Sequence, residues 1–158
     1  MRTQTPNKKV RNATTLEYEG ITFKSKLELY CYKQLQQLSL ELPIDFSYDS
    51  VKFNLLDPFL FTNDCYELVK RKNYKQFEQI RPNVKGITYT PDFVAVDRNT
   101  SEMYIIETKG NPNDAFPLRW KLFKKHLKDN DMTANVYMPR NQKHIDQVIN
   151  IIKTKYNA

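Results

Sequence analysis

Three side chains near the middle of the chain combine types that can do chemistry together. Asp92 and Glu107 are carboxylates, and facing carboxylates repel each other unless a cation lies between them. Mg²⁺ prefers such oxygen ligands, together with waters and phosphate oxygens of a substrate. Lys109 supplies a lysine amine, which can orient an attacking water, deprotonate it in the neutral form, or stabilise charge on a phosphate in the charged form. These residue types indicate phosphoester chemistry with a divalent cation.

The spacing of these residues predicts a β-hairpin that brings them together. Residues 90–97 and 102–108 are rich in β-branched and aromatic side chains, and turn-forming residues separate them. If the four residues between these segments form the loop, Asp92 lies opposite Glu107, with Cβ atoms about 4.5–5.5 Å apart on one face. Lys109 shares that face because it is two residues from Glu107. The alternative is that they are separate solvated residues, since a shift of one residue in register would part the carboxylates.

The order of these residues resembles the PD-(D/E)xK signature of a superfamily of metal-dependent nucleases. Pro91-Asp92 is followed, after a gap of fourteen residues, by Glu107-Thr108-Lys109. An acidic residue on the first helix often completes such sites, and Glu28 occupies that position. The resemblance covers roughly residues 18–128 and is strongest to small phage nucleases of the endonuclease I and Holliday-junction resolvase type.

The resemblance implies a fold, a reaction and a role for each residue. The fold is α/β, leaning to α+β, with a mixed central β-sheet flanked by helices in a restriction-endonuclease-like core. Asp92 and Glu107 would hold Mg²⁺, for which Mn²⁺ would substitute, with the backbone carbonyl of Thr108 as a further ligand. Lys109 would position the water, and Glu28 would complete the acidic shell, also as a metal ligand. The substrate would be DNA, preferably branched, cut by a homodimer; the alternatives are a restriction-type or transposase-associated endonuclease, or an inactive DNA-binding protein.

Glu28 has a second interpretation that involves no metal. Leu27, Cys31, Leu35 and Leu38 form one apolar stripe, which predicts a helix over 25–38. Ser25 is a plausible N-cap, and Glu28 stands three residues later, as in a capping box. The sequence alone favours the cap, the resemblance favours the site, and one carboxylate is not expected to serve both easily.

Cationic residues suggest how a polyanion would be held. The formal net charge is +7, which suits nucleic acid without naming it. Residues 1–15 are predicted to be a flexible basic arm, and residues 69–85 contain six basic residues against one acid, interleaved with tyrosine. A solubilising tail and an ordinary solvated segment are the respective alternatives. The candidate DNA-binding residues are Lys8, Lys9, Arg11, Lys70, Arg71, Lys72, Lys75, Arg119, Lys121 and Lys124.

The rest of the chain predicts a single domain over residues 16–158. A tight hairpin is expected at 16–23, a helix at 116–130, a strand at 134–138, and a last helix capped by Asn141. Phe116, Trp120, Phe123 and Leu127 recur at helical spacing and are predicted to be core rather than a base-stacking surface. Residues 57–83 show no clear pattern.

Several classes of protein are disfavoured. The chain contains three glycines and two cysteines, with neither a Gly-rich phosphate loop nor zinc-ligand spacing, which argues against an NTPase or a zinc enzyme. Cys31, on an apolar helix face, is expected to be a buried thiol. No signal peptide or membrane-spanning stretch is recognisable, so we expect no membrane association and a cytoplasmic protein, phage-encoded or in a bacterial host.

Overall fold

The computed structural model describes residues 15–110 and 115–158. The predicted basic arm, with Lys8, Lys9 and Arg11, therefore lies outside the described residues except for its last position. Residues 111–114 also lie outside the described residues. The elements, in chain order, are β1 (Leu16–Tyr18), β2 (Ile21–Phe23), α1 (Lys26–Glu41), β3 (Ile44–Tyr48), β4 (Phe53–Leu56), β5 (Phe59–Leu60), β6 (Tyr66–Arg71), β7 (Tyr74–Gln79), β8 (Asn83–Val84), β9 (Ile87–Tyr89), β10 (Phe93–Asp97), β11 (Met103–Ile106), α2 (Phe116–Asp129), β12 (Ala134–Tyr137) and α3 (Gln142–Tyr156). No helix in the described ranges is both long enough and apolar enough to span a bilayer.

A four-stranded mixed sheet forms the centre of the fold, in the order β12-β11-β10-β3. β10 pairs antiparallel with both β11 and β3, whereas β11 and β12 run parallel. Side chains alternate between the two faces of a strand. Phe93 and Ala95 accordingly pack in one core cluster with α1 and α3, and Val94 packs in a second with α2 and the β4–β9 pair. The predicted mixed sheet flanked by helices is confirmed at this level.

The hairpin β10–β11 has the predicted register. Phe93 pairs with Ile106 and Val96 with Met103, and the Asp97 N–H donates to the Glu102 carbonyl at 2.9 Å. In an antiparallel ladder the two residue numbers of every pair have the same sum. This register therefore places Asp92 opposite Glu107 at the end of the ladder.

Helix α1 begins where its cap residue predicts and runs three residues further than expected. The Ser25 side chain accepts a hydrogen bond from the Glu28 N–H. Cys31, Leu35 and Leu38 are buried, as their spacing predicts. The helix ends at Glu41 because Leu42, which precedes a proline, is extended (φ −128°, ψ 154°).

The two later helices confirm their predicted faces. In α2, Phe116, Phe123 and Leu127 are buried, and Trp120 packs against them. Asn141 caps α3 by accepting from the His144 N–H. The buried side chains of α3 are Ile145, Val148, Ile149 and Ile152.

The segment with no readable pattern forms two short antiparallel pairs. β5 pairs with β8, and β6 pairs with β7 across the turn at Lys72-Asn73. We call the β6–β7 pair, residues 66–79, the exposed hairpin. Most of its side chains are exposed and only Val69 and Glu78 are half-buried, so no strict alternation of apolar and polar residues marks the strands. Both cysteines are free: Cys31 is buried, as predicted, and Cys65 is half-buried just before β6.

Candidate active site

Asp92 closes the open end of the β10–β11 ladder with its side chain. The bond from Asp97 to Glu102 sets the alternation of the ladder, so the next pair to exchange hydrogen bonds beyond Phe93 and Ile106 would be Pro91 and Thr108. Pro91 has no N–H and cannot donate to the Thr108 carbonyl. Asp92 Oδ2 instead accepts from the Thr108 N–H at 2.8 Å and from the Thr108 hydroxyl at 2.6 Å. The proline of the motif therefore ends the pairing and leaves the carbonyl of Thr108 without its ladder donor.

Glu107 is held from two sides in a buried position. Its side chain is 6% exposed, with Oε2 accepting from the Tyr89 hydroxyl at 2.6 Å and Oε1 accepting from Lys109 Nζ at 3.2 Å. Its backbone N–H donates to the Tyr137 carbonyl at 2.9 Å. The parallel strand β12 thus fixes the backbone, and Tyr89 and Lys109 fix the carboxylate.

Lys109 lies between the carboxylate and helix α2. Its ammonium nitrogen is 4.2 Å from the ring centroid of Phe116, the first residue of α2. This contact is a cation–π interaction. Its backbone N–H donates to the Pro139 carbonyl at 3.0 Å. Lys109 is therefore positioned by the end of the sheet and by the aromatic start of α2.

Glu28 serves as a cap and also lines the same cavity as the other predicted site residues. Its carboxylate accepts from the Lys24 N–H at 3.1 Å, the Ser25 hydroxyl at 3.1 Å and the Tyr48 hydroxyl at 2.5 Å. That one carboxylate would not easily serve as both cap and metal ligand stays a prediction. The first turn of the helix faces the end of the sheet, so a side chain that satisfies N-terminal N–H groups also reaches the cavity.

The predicted site residues line one open cavity of about 420 Å³. Glu28, Asp92, Glu107, Thr108 and Lys109 line it together with Arg119 from α2. The other α2 candidates, Lys121 and Lys124, are exposed on the helix and do not line this cavity.

The carboxylates of the cavity destabilise one another in the absence of a cation. Burial, then the neighbouring charges of Glu107 and Glu28, raises the pKa of Asp92 to about 7, against the hydrogen bonds from Thr108 that lower it. Burial, then the charge of Glu107, also raises the pKa of Tyr89. Burial and the hydrogen bond to Glu28 raise the pKa of Tyr48. Both phenols therefore remain protonated donors, and Asp92 is left with negative neighbours.

The donor set fits a hard cation through two carboxylates rather than three. Within residues 15–110 and 115–158, no group of three or more His, Cys, Asp or Glu side chains is gathered closely enough to hold a metal. Glu28 therefore does not join Asp92 and Glu107 in one ligand cluster, and its hydrogen-bonding capacity is directed at the helix start and Tyr48. Asp92, Glu107 and the Thr108 carbonyl remain as an all-oxygen set, as Mg²⁺ prefers.

The predicted cations of the middle segment lie elsewhere in the fold. Lys70, Arg71, Lys72 and Lys75 belong to the exposed hairpin and do not line the cavity. The structure brings Arg119 to the predicted site and leaves these four on a separate surface.

Sequence reasoning missed four side chains of the site. Tyr48 and Tyr89 hold the two glutamates, and Lys24 pairs with Asp49 at 2.6 Å at the cavity. Tyr89 is adjacent to the motif and was a detectable candidate. The others depend on β3 pairing with β10, which places residues 48 and 93 side by side.

Comparison with known proteins gives a family and no further relatives. Neither the curated proteins nor the solved structures yielded a match. Residues 8–143 match the family described as "Protein of unknown function (DUF1064)", and this range includes all the cavity-lining residues named above. Since the match covers well over half of the chain, the protein belongs to the DUF1064 family.

Proposed function

We propose that the protein is a Mg²⁺-dependent endodeoxyribonuclease with a PD-(D/E)xK-type, restriction-endonuclease-like core. The observation that carries the proposal is the end of the β10–β11 ladder. There Asp92 and Glu107 are opposed, and the Lys109 ammonium lies 3.2 Å from Glu107 in a cavity open to a substrate. An all-oxygen donor set beside a lysine suits hydrolysis of a phosphodiester better than redox or acyl-transfer chemistry.

Each residue has a distinct part in the proposed reaction. Asp92, Glu107 and the Thr108 carbonyl would hold Mg²⁺ or Mn²⁺, which supplies Lewis-acid stabilisation of charge on the phosphate. Lys109 orients the attacking water, whose oxygen bonds to phosphorus as the bond to the leaving sugar oxygen breaks; the water releases a proton to solvent and the leaving oxygen takes one up from solvent. Arg119 offers its guanidinium to the phosphate at the cavity rim. Glu28 acts through the electric field of the cavity and by orienting Tyr48.

The resemblance to phage resolvase-type nucleases extends the proposal to the substrate and the assembly. The substrate would be branched DNA, and a homodimer would place two sites on symmetric strands. Such an enzyme would act in the cytoplasm of a bacterial host.

Incubation with a panel of DNAs tests the proposal. Linear, nicked, forked and four-way DNA would be incubated with the purified protein in Mg²⁺ or in EDTA, and the products resolved on denaturing gels. We expect Mg²⁺-dependent cleavage, greatest on branched DNA, that disappears in Asp92→Asn and persists in Asp45→Asn, a matched change of an exposed carboxylate that pairs with Arg98.

Four results would contradict parts of the proposal. Cleavage of no substrate with either Mg²⁺ or Mn²⁺ would reject the enzyme and favour a DNA-binding protein. Full activity in Asp92→Asn would reject the site. Equal cleavage of linear and four-way DNA would support a nuclease but reject the preference for branched DNA. A protein that sediments as a monomer with and without DNA would reject the proposed dimer.

A further inference from the structure

The exposed hairpin has two faces of opposite character. One face, which we call the open face, carries only exposed side chains: Tyr66, Leu68, Lys70, Lys75, Phe77 and Gln79. On the other face Arg71 pairs with Glu78 at 3.0 Å and lies over the ring of Tyr74, 5.3 Å from its centroid. The second face thus carries one cation and two carboxylates, since Glu67 lies opposite Glu78, whereas the charges of the open face are all positive.

The open face carries an opposed pair of like charges. Lys70 lies directly across the ladder from Lys75, and like charges in that position destabilise a hairpin. The open face contains no acidic residue, and neither ammonium forms an ion pair with any residue that the structure describes. An anion bound between the two lysines would reverse the repulsion, and a phosphate has the required charge.

Next to the lysine pair, the open face exposes apolar and aromatic surface. Phe77 is 69% exposed, Leu68 56% and Tyr66 50%. The Phe77 and Tyr66 rings lie 5.7 Å apart with 31° between their planes. Apolar surface of this size is costly in water. A partner that covers it must offer flat, apolar surface within a few ångströms of a phosphate.

We propose that the open face binds unpaired bases of a DNA strand, with phosphates on Lys70 and Lys75 and a base stacked on Phe77 and Tyr66. An unpaired base offers a free π-face beside its own phosphate, and aromatic side chains bind bases this way with little sequence preference. The bases of an intact duplex are stacked on one another, so a duplex can satisfy the lysines and not the rings. The choice of DNA rests on the proposed function. The inference narrows the substrate of the proposed nuclease to DNA with a single-stranded segment beside a duplex.

A second copy of the chain fits the open face less well. A face-to-face dimer would add two more ammonium groups to a surface without any acidic residue, which raises the repulsion. It would cover the rings and leave the charges uncompensated.

Binding measurements in EDTA test this inference independently of any cleavage. Fluorescence anisotropy would compare four labelled DNAs of equal length: a single strand, a fork with unpaired arms, a blunt duplex, and a single strand of abasic sites that keeps every phosphate. We expect Phe77→Ala to lower affinity about tenfold for the single strand and the fork, and less than twofold for the duplex and the abasic strand. The double variant Lys70→Gln/Lys75→Gln should lower the magnitude of the salt slope on single strands by about 1.4.

A matched variant and two contrary outcomes complete the test. Gln76→Ala changes an exposed neighbour on the other face and should leave all four affinities unchanged. If Phe77→Ala lowered the affinity equally for the abasic and the base-containing strands, the inference would be overturned. It would also be overturned if Phe77→Ala changed the protein from dimer to monomer in sedimentation and lowered the affinity equally for all four DNAs. That result would identify a second copy of the chain as the occupant of the open face. Because EDTA prevents metal-dependent cleavage, a failed nuclease assay leaves this result interpretable, and a failed binding pattern leaves the nuclease assay interpretable.

Discussion

The hairpin β10–β11 and the exposed hairpin are built by the same local rule and have opposite surroundings. Both are antiparallel pairs joined by short loops. In β10–β11 both faces are covered: Phe93 and Ile105 are each 0% exposed and belong to different core clusters. In the exposed hairpin one face is bare. Cover on both sides fixes side chains within hydrogen-bonding distance of one another, which a reaction needs, whereas a bare face leaves charge and rings available to a partner.

Because of this difference, we expect the β10–β11 hairpin to determine turnover and the exposed hairpin to determine affinity for DNA. The carboxylates at the end of β10–β11 are each held by two donors, while burial and the charge of Glu107 raise the pKa of Asp92. The lysines of the exposed hairpin have no such partners among the described residues. Changes in the first hairpin should affect the rate of the bound complex, and changes in the second should affect how much complex forms.

The largest expected effect is on turnover. Glu107→Gln should lower the cleavage rate of the bound complex by about 10²–10³-fold or more, since it removes a metal-binding charge worth several kcal/mol. Lys70→Gln/Lys75→Gln should weaken binding and leave that rate within about twofold. Single-turnover cleavage at saturating protein separates the two quantities. A rate loss in the lysine variant as large as that in Glu107→Gln would end the proposed division.

The next effect is on stability, in a pair of identical substitutions. Phe93→Ala removes a fully buried ring and should cost about 3–5 kcal/mol of the free energy of unfolding. Phe77→Ala removes a ring that is 69% exposed and should cost less than about 0.5 kcal/mol. Urea denaturation followed by circular dichroism measures both. Similar losses in the two variants would show that the exposed hairpin is covered in the folded protein.

A smaller effect concerns the pH dependence of stability. In the folded protein without divalent cations, Asp92 keeps its proton up to about pH 7, whereas its ordinary pKa is 3.8. The folded state therefore binds more protons than the unfolded state between pH 4 and 7, and the free energy of unfolding falls as the pH rises through that window. Asp92→Asn removes this loss of stability and keeps a side-chain oxygen that can accept the hydrogen bonds from Thr108. In EDTA the variant should be about 1–4 kcal/mol more stable than wild type at pH 8 and close to it at pH 4.

Thermal melts at pH 4 and pH 8 check this expectation. Asp45→Asn, a change at an exposed carboxylate, is the control and should alter the two melts equally. Adding Mg²⁺ at pH 8 should stabilise wild type more than Asp92→Asn. A gap between Asp92→Asn and wild type that is the same at both pH values would show that Asp92 titrates normally.

The smallest effect separates the two functions of Glu28. Glu28→Gln still offers an oxygen and an amide to the helix start, so it should cost less than the about 0.5–2 kcal/mol of stability that the loss of a cap costs. We expect it also to lower turnover of the folded protein about 10–100-fold, as loss of a residue that supports a metal site does. Tyr48→Phe removes the hydroxyl that donates to Glu28 and leaves the cap intact. Wild-type turnover in Glu28→Gln would limit this residue to capping.

The sequence predicted those parts of the fold in which local rules and burial agree. The register of β10–β11 followed from the loop length and the alternation of apolar residues, and the start of α1 followed from Ser25 and Glu28. The apolar stripe of α2 was assigned to the core, and Phe123 is 0% exposed. At each of these positions, one physical requirement is strong enough to leave a pattern in the residues.

The exposed hairpin could not be predicted because burial does not constrain it. Leu68 and Phe77 face each other on a bare surface, and no periodicity distinguishes them from the polar residues around them. The partners of the carboxylates were missed for a different reason. Tyr48 reaches Glu28 only because β3 pairs with β10, and long-range strand pairing leaves little signal in a single sequence.

The contrast between the two cysteines makes the protein suitable for single-site labelling without mutagenesis. The chain has two cysteines. Cys31 is 0% exposed, and burial raises the pKa of its thiol, so a maleimide dye should leave it unmodified in the folded protein. Cys65 is half-buried and directly precedes β6. The Cys65 thiol donates to Glu67 Oε1 at 3.8 Å, so a dye at Cys65 would label the second face of the exposed hairpin and leave the open face available to a partner.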